Sequence, residues 1–242
     1  MFVTVSNSIF IILIILILFT LHYLHKLINH REIYQEIPFN RVLMSKVYDD
    51  LKTGDIILFR SSVNSFITDT LIPTTVYKHI GMIIKLNDEL YITESGQRNV
   101  YAKNSQGDIL YLKDGVDILP LKTRLSYYCG MVFLTQLSRP LEPEKEQKLI
   151  EYIYELYNIN YPSLLELYLN FILNLKITKS LYCFQYVYML LESIGVIPKQ
   201  PVSNMELTDF ITHIDEYELN DDYSYTELKK IVYDIDIDEK LT

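Results

Sequence analysis

The sequence predicts an α+β fold preceded by an N-terminal transmembrane helix. Three observations carry that prediction. Short β-rich runs separated by turn residues occupy residues 56–137, and apolar residues recur at a helical period of about 3.6 after Pro143. The chain also opens on an unbroken apolar run, IFIILIILILF, from Ile9 to Phe19.

The opening run comes first. No Asp, Glu, Lys or Arg occurs between Met1 and Leu24. Taken as helix, Ile9 to Leu24 is roughly 24 Å long, and the residues before it complete the ~30 Å of a hydrocarbon core. A cleaved signal peptide would have positive charge before the run and small residues after it, whereas here His25, Lys26, His30 and Arg31 follow. The segment therefore reads as an uncleaved single-pass anchor, and the basic flank leaves the large domain on the cytoplasmic side. His22, His25 and His30 read as residues at the headgroup level rather than as a metal site. The chain divides into an anchor with its basic flank (1–31), a connector (32–52), a globular domain (53–200) and an acidic C-terminal extension (201–242).

Within the connector, one helical stretch is expected around Phe39 to Leu51. Thr53-Gly54-Asp55 is a turn signal, which makes Asp55 a turn residue, and IILFR (56–60) reads as a buried strand. A Ser/Thr-rich loop, 61–77, leads to HIGMIIKL (79–86), with Tyr77 and Lys78 read as an exposed loop end. Asn87-Asp88 and ELYITE (89–94) follow, so two β-rich runs flank two turn residues in the pattern of a hairpin. ILYL (109–112) and GVDIL (115–119) suggest a second hairpin around Lys113 to Gly115, and MVFLTQL (131–137) a further strand.

Helices come next. Pro143 suits a first turn, and Leu149, Ile150, Ile153, Leu156 and Tyr157 fall on one face behind it. A second helix is expected in LLELYLNFILNL after Pro162-Ser163, and a third in SLYCFQYVYMLLESIGVI (180–197). From Asp215 the chain carries ten Asp/Glu against three Lys, the pattern of a solvated helix and tail.

Composition narrows the function. A net charge of -9 without a Lys/Arg cluster is the wrong electrostatics for a nucleic-acid partner. Cys129 and Cys183, far apart and in no C-x-x-C spacing, provide neither a disulfide framework nor a zinc site. No Gly-rich phosphate loop is present, so no cofactor is expected.

Cys183 is the residue with chemistry to offer. With Ser180 as N-cap, it lies in the first turn of the third helix, where unpaired backbone amides and the positive end of the macrodipole favour a thiolate. The same position also suits a cysteine buried as a small hydrophobe, and the helix alone leaves both readings open. The hairpin supplies the second observation. If Asn87-Asp88 is its two-residue loop, Leu86 pairs with Glu89 and Gly81 with Glu94. His79, Gly81 and Glu94 then share one face, with the imidazole and carboxylate as diagonal neighbours.

GDIILFR (54–60), YKHIGMII (77–84), ITES (92–95) and LYCFQYVYMLLESIGVI (181–197), in that order, resemble the circularly permuted NlpC/P60 superfamily of papain-like cysteine hydrolases. The likeness is to its YiiX-like group, with members in bacteria and large DNA viruses, and it covers residues 53–200. It implies an antiparallel sheet or small barrel packed on helices. It also implies a catalytic His beginning a strand, a polar residue on the next strand and the Cys at a helix start, the roles of His79, Glu94 and Cys183. A membrane-anchored cysteine hydrolase or acyltransferase is then expected, acting on an amide or ester, with a lipid or lipidated protein as substrate, and in a virion membrane if the chain is viral. One departure is visible: the group usually follows its Cys with a small hydroxyl residue and an acid, and here Phe184 and Gln185 follow. That change feeds the alternative, a non-catalytic membrane or virion protein that keeps the fold for binding.

Overall fold

The computed structural model describes residues 40–60, 77–97, 101–103, 109–111, 113–128, 130–163, 180–199, 210–211 and 213–234, with Ile17 and Glu166 as single positions. The apolar run apart from Ile17, its histidines and basic flank, residues 61–76, Cys129, and all but Glu166 of the helix expected after Pro162-Ser163 lie outside the described residues. Among the described residues, no helix is long and apolar enough to cross a membrane.

The elements are β1 (Asn40–Leu43), α1 (Met44–Val47), a 3-10 turn (Tyr48–Asp50), β2 (Ile56–Arg60), β3 (His79–Leu86) and β4 (Glu89–Gly96). Then come β5 (Tyr101–Lys103), β6 (Ile109–Tyr111), β7 (Gly115–Pro120), α2 (Leu121–Ser126), β8 (Met131–Thr135), α3 (Pro143–Leu156), α4 (Cys183–Ser193) and β9 (Lys229–Val232). One seven-stranded sheet has the order β1-β9-β8-β2-β3-β4-β7, and β5 pairs with β6 apart from it. Only the β1–β9 pairing in that sheet is parallel.

The β3–β4 hairpin turns on Asn87 and Asp88, with φ of 51° and 65°. Left-handed backbone at both central positions marks the turn whose twist matches the strands, and Asn and Asp tolerate it better than other residues with a Cβ. The register follows from that turn: Leu86 faces Glu89 and Gly81 faces Glu94.

The sheet separates two cores. Ile56 and Leu58 of β2 and Ile80, Met82 and Ile84 of β3 cluster with Leu149 and Ile153 of α3 and with Phe184, Val187, Leu190 and Leu191 of α4. Ile57 and Phe59 of β2, Ile83 of β3 and Ile92 of β4 face the other way, against Met44, Leu121 and Leu125. Alternation along each strand produces the two layers, and each Ile or Leu so buried contributes about 1.5–3 kcal/mol. Helix α4 ends where Gly195, at φ 71°, lets the Val196 amide reach back to the Leu191 carbonyl at 3.0 Å.

Several expectations change. Residues 109–112 and 115–119 do not form a hairpin with each other: β6 pairs with β5, and β7 pairs with β4, Glu94 opposite Asp117. The connector stretch around Phe39 to Leu51 starts as a strand and holds only one short helix and a 3-10 turn. The acidic segment from Asp215 is not a solvated helix and tail over its described part. It contributes β9 between β1 and β8, and buries Tyr223, Tyr225, Leu228 and Ile231. Net charge hid those apolar positions, which are tied down by the bond from the Tyr225 hydroxyl to the Gly54 carbonyl at 3.0 Å. Tyr77 is buried against Phe133 rather than exposed. Asp55 is a turn residue as expected, buried and accepting from the Lys52 and Leu137 amides.

Candidate active site

His79 opens β3, opposite Phe59 of β2, and its ring packs on the Phe59 ring at 5.4 Å between centroids. Glu94 lies near the end of β4 on the same face of the hairpin. Between them sits Gly81, where a Cβ would come within 2.6 Å of the Ile92 side chain. The expected diagonal contact is made: His79 Nε2 lies 3.0 Å from Glu94 Oε2. The other carboxylate oxygen, Oε1, accepts from Arg124 Nε of α2 at 2.7 Å.

Cys183 comes from the opposite layer, round the end of the sheet. Helix α4 is set against β4 by two side chains of that strand: the Ser95 hydroxyl donates to the Leu181 carbonyl at 2.6 Å, and the Thr93 hydroxyl meets the Tyr186 hydroxyl at 2.6 Å. The helix begins at Cys183 itself, with Tyr182 rather than Ser180 at the N-cap and, among the described residues, no side-chain capping hydrogen bond at that position. The chain is extended at Tyr182, with ψ of 163°, which places Cys183 at the first helical position instead of the third. Its thiol interacts with the His79 ring, whose Nε2 faces Glu94.

Burial works against a charged His79, but the Glu94 carboxylate and the hydrogen bonds with Cys183 and Glu94 outweigh it and raise the imidazole to about 9. Burial likewise opposes an ionised Glu94, yet the Arg124 guanidinium, followed by His79, lowers its carboxyl to about 2. An imidazole held by a buried carboxylate and in contact with a thiol can take the thiol proton. Uncapped amides at a helix start can receive an oxyanion.

Two residues join the site that the sequence reading did not single out. Tyr161 interacts with the Cys183 thiol, and burial, then Cys183, push its hydroxyl well above the usual tyrosine range. It is delivered by the loop after α3, where the Ile159 carbonyl accepts from the Val116 amide and the Asn160 carbonyl from the Leu181 amide. Lys113 Nζ also donates to the Tyr157 carbonyl at 2.6 Å. Nothing in Asn160-Tyr161-Pro162 announces this. Arg124 did leave a signal: in LKTRL it shares a helix face with Leu121 and Leu125, both buried, and an arginine on a buried face needs a partner.

Phe184, the departure noted after the cysteine, is fully buried against the sheet, its ring edge-on to Tyr182 at 6.2 Å. Among the described residues, no group of three or more His, Cys, Asp or Glu could hold a metal ion.

A family model described as permuted papain-like amidase enzyme, YaeF/YiiX, C92 family matches residues 50–216 of the chain. Among solved structures, the crystal structure of the metalloprotein yiiX from Escherichia coli O157:H7 is similar over 76% of this chain and 98% of that chain, at 16% identity and a TM-score of 0.42. No curated protein matches.

Proposed function

The chain belongs to the permuted papain-like amidases of the YaeF/YiiX type, and from that membership we propose that it is a membrane-anchored thiol hydrolase or acyltransferase working through Cys183, His79 and Glu94. The observation that carries the reading is the continuous chain of contacts from the Cys183 sulfur through the His79 ring to the Glu94 carboxylate. His79 takes the thiol proton and the sulfur attacks the acyl carbon of an amide or ester. Backbone amides at the start of α4 and the Tyr161 hydroxyl are the donors at hand for the oxyanion. The imidazolium returns its proton to the leaving nitrogen or oxygen as the carbon–heteroatom bond breaks, leaving a thioester on Cys183. Water or another acceptor resolves that thioester, giving hydrolysis or acyl transfer.

The apolar run at residues 9–19 supports an anchor, and an anchored domain meets bilayer molecules at high effective concentration. The acyl substrate is therefore a lipid or a lipidated protein, with the domain on the cytoplasmic side. A second reading, a fold kept for binding alone, draws on the 1% exposure of Cys183.

Capture of the thioester separates the two. An activated ester, p-nitrophenyl acetate, should acylate Cys183, as read by intact mass and peptide mapping, with the Cys183→Ala and His79→Ala variants as controls. A protein that never carries the acyl group on Cys183 is a binding module.

A further inference from the structure

Glu94 has a second charged neighbour that the proposed proton path does not use. Its side chain is 2% exposed, and Arg124, itself 5% exposed at the side chain, donates from Nε to the oxygen that does not face His79. The guanidinium lies over the Phe59 ring at 4.6 Å and the Tyr128 ring at 5.6 Å. His79 packs on that same Phe59 ring, so one aromatic residue fixes both partners of the carboxylate. Nη1 of Arg124 is buried and finds no partner among the described residues.

Charge enters as well. Proton transfer from Cys183 to His79 moves no net charge, so before and after it the three groups carry the one negative charge of Glu94 in a largely buried site. Arg124 cancels it. Other groups face the carboxylate without doing so. Asp117 of β7, opposite Glu94 in the register, turns its oxygens to the Lys113 and Ile118 amides. The Tyr128 hydroxyl is pushed up to about 12 by burial, with Arg124 opposing and Glu94 adding, and so stays neutral. His79 from β3 and Cys183 from α4 are the reacting pair themselves.

We infer that Arg124 is a positioning residue for the reaction: it fixes Glu94 so that one oxygen alone faces His79, and it offsets the charge of that buried carboxylate. The inference rests on the reading of Cys183 as nucleophile. It makes Arg124 part of the activation of the thiol although it touches neither sulfur nor imidazole.

The test is the pH dependence of Cys183 alkylation by iodoacetamide in the full chain, for wild type, His79→Ala, Arg124→Met and Arg124→Lys. Loss of the cation that holds Glu94 moves the acid limb of the profile to higher pH by about one unit in Arg124→Met, so that labelling on that limb slows about tenfold. Arg124→Lys keeps the cation and returns the limb most of the way. An acid limb that stays in place in Arg124→Met, or a Lys variant displaced as far as Met, overturns the inference, since a packing role changes rate or stability without moving the limb. If Arg124→Met does not fold, Arg124→Lys decides alone: a limb near wild type supports the role and one displaced by a full unit ends it. His79→Ala distinguishes the two levels. Should it label along the wild-type profile, no base serves the thiol and the proposed function fails; if only the Arg124 variants do so, the role of Arg124 fails by itself.

Discussion

His79 and Glu94 each hold a charge that burial opposes, and each therefore ties stability to pH in its own direction. The His79 ring is raised from 6.5 to about 9, so its contribution is complete below 6.5 and is lost as pH rises through 9. Glu94 is lowered from 4.5 to about 2, so its contribution is present above 4.5 and is lost as pH falls towards 2. The two effects describe one pair and do not add. Urea midpoints measured across pH should accordingly decline between 6.5 and 9 in the wild type, and that decline should flatten in His79→Ala. A variant that keeps the full alkaline decline would place its origin elsewhere. Cys183 shows why a single residue is a poor witness: at 1% exposure it looks like core, and only its contacts with His79 and Tyr161 separate it from its apolar neighbours.

Elements bring these side chains together, and β7 has more to do with the site than its position at the sheet edge suggests. Gly115 begins that strand at φ 92°, and a Cβ there would stand 2.0 Å from the Ile159 carbonyl oxygen. The glycine is what lets the loop carrying Tyr161 lie against the sheet. Gly115→Ala should cost about 1–3 kcal/mol in urea unfolding and slow alkylation of Cys183, because the loop must retreat and take Tyr161 with it. An alanine variant of wild-type stability and labelling would remove the loop from the account. The sequence made part of this legible. A two-residue turn determines a hairpin register, so the sequence by itself sets His79, Gly81 and Glu94 on one face. Local patterns name a strand without naming its partner, however, so β6 and β7 read as one hairpin, whereas β9 lies in a segment whose charge reads as a solvated helix and tail. Tyr161 arrives through backbone bonds from Val116 and Leu181, distant in sequence and invisible to periodicity. Capping preference makes Ser180 the N-cap of α4, but the chain is extended at Tyr182 and the helix starts two residues later, at Cys183.

At the scale of the whole molecule, the domain that carries the site follows an apolar run with a basic flank, and the proposed substrate depends on that arrangement. Removal of residues 1–31 should shift the protein from the membrane to the soluble fraction on flotation while leaving acylation of Cys183 by a soluble ester unchanged. Retention on membranes after truncation would mean that another surface binds them. The seven-stranded sheet with helices on its faces fits the permuted papain-like fold of the family, and the sheet continues past the acidic stretch to Val232. Everything then turns on whether the thiol at the end of that sheet reacts with help from its neighbours. The direct measurement is the rate at which p-nitrophenyl acetate places an acetyl thioester on Cys183 in wild type and in His79→Ala. General-base assistance predicts acylation at least about 10²-fold faster in the wild type, with the thioester discharged by water or an added acceptor. Equal rates in the two proteins, or acetyl groups found anywhere but on Cys183, would contradict the account.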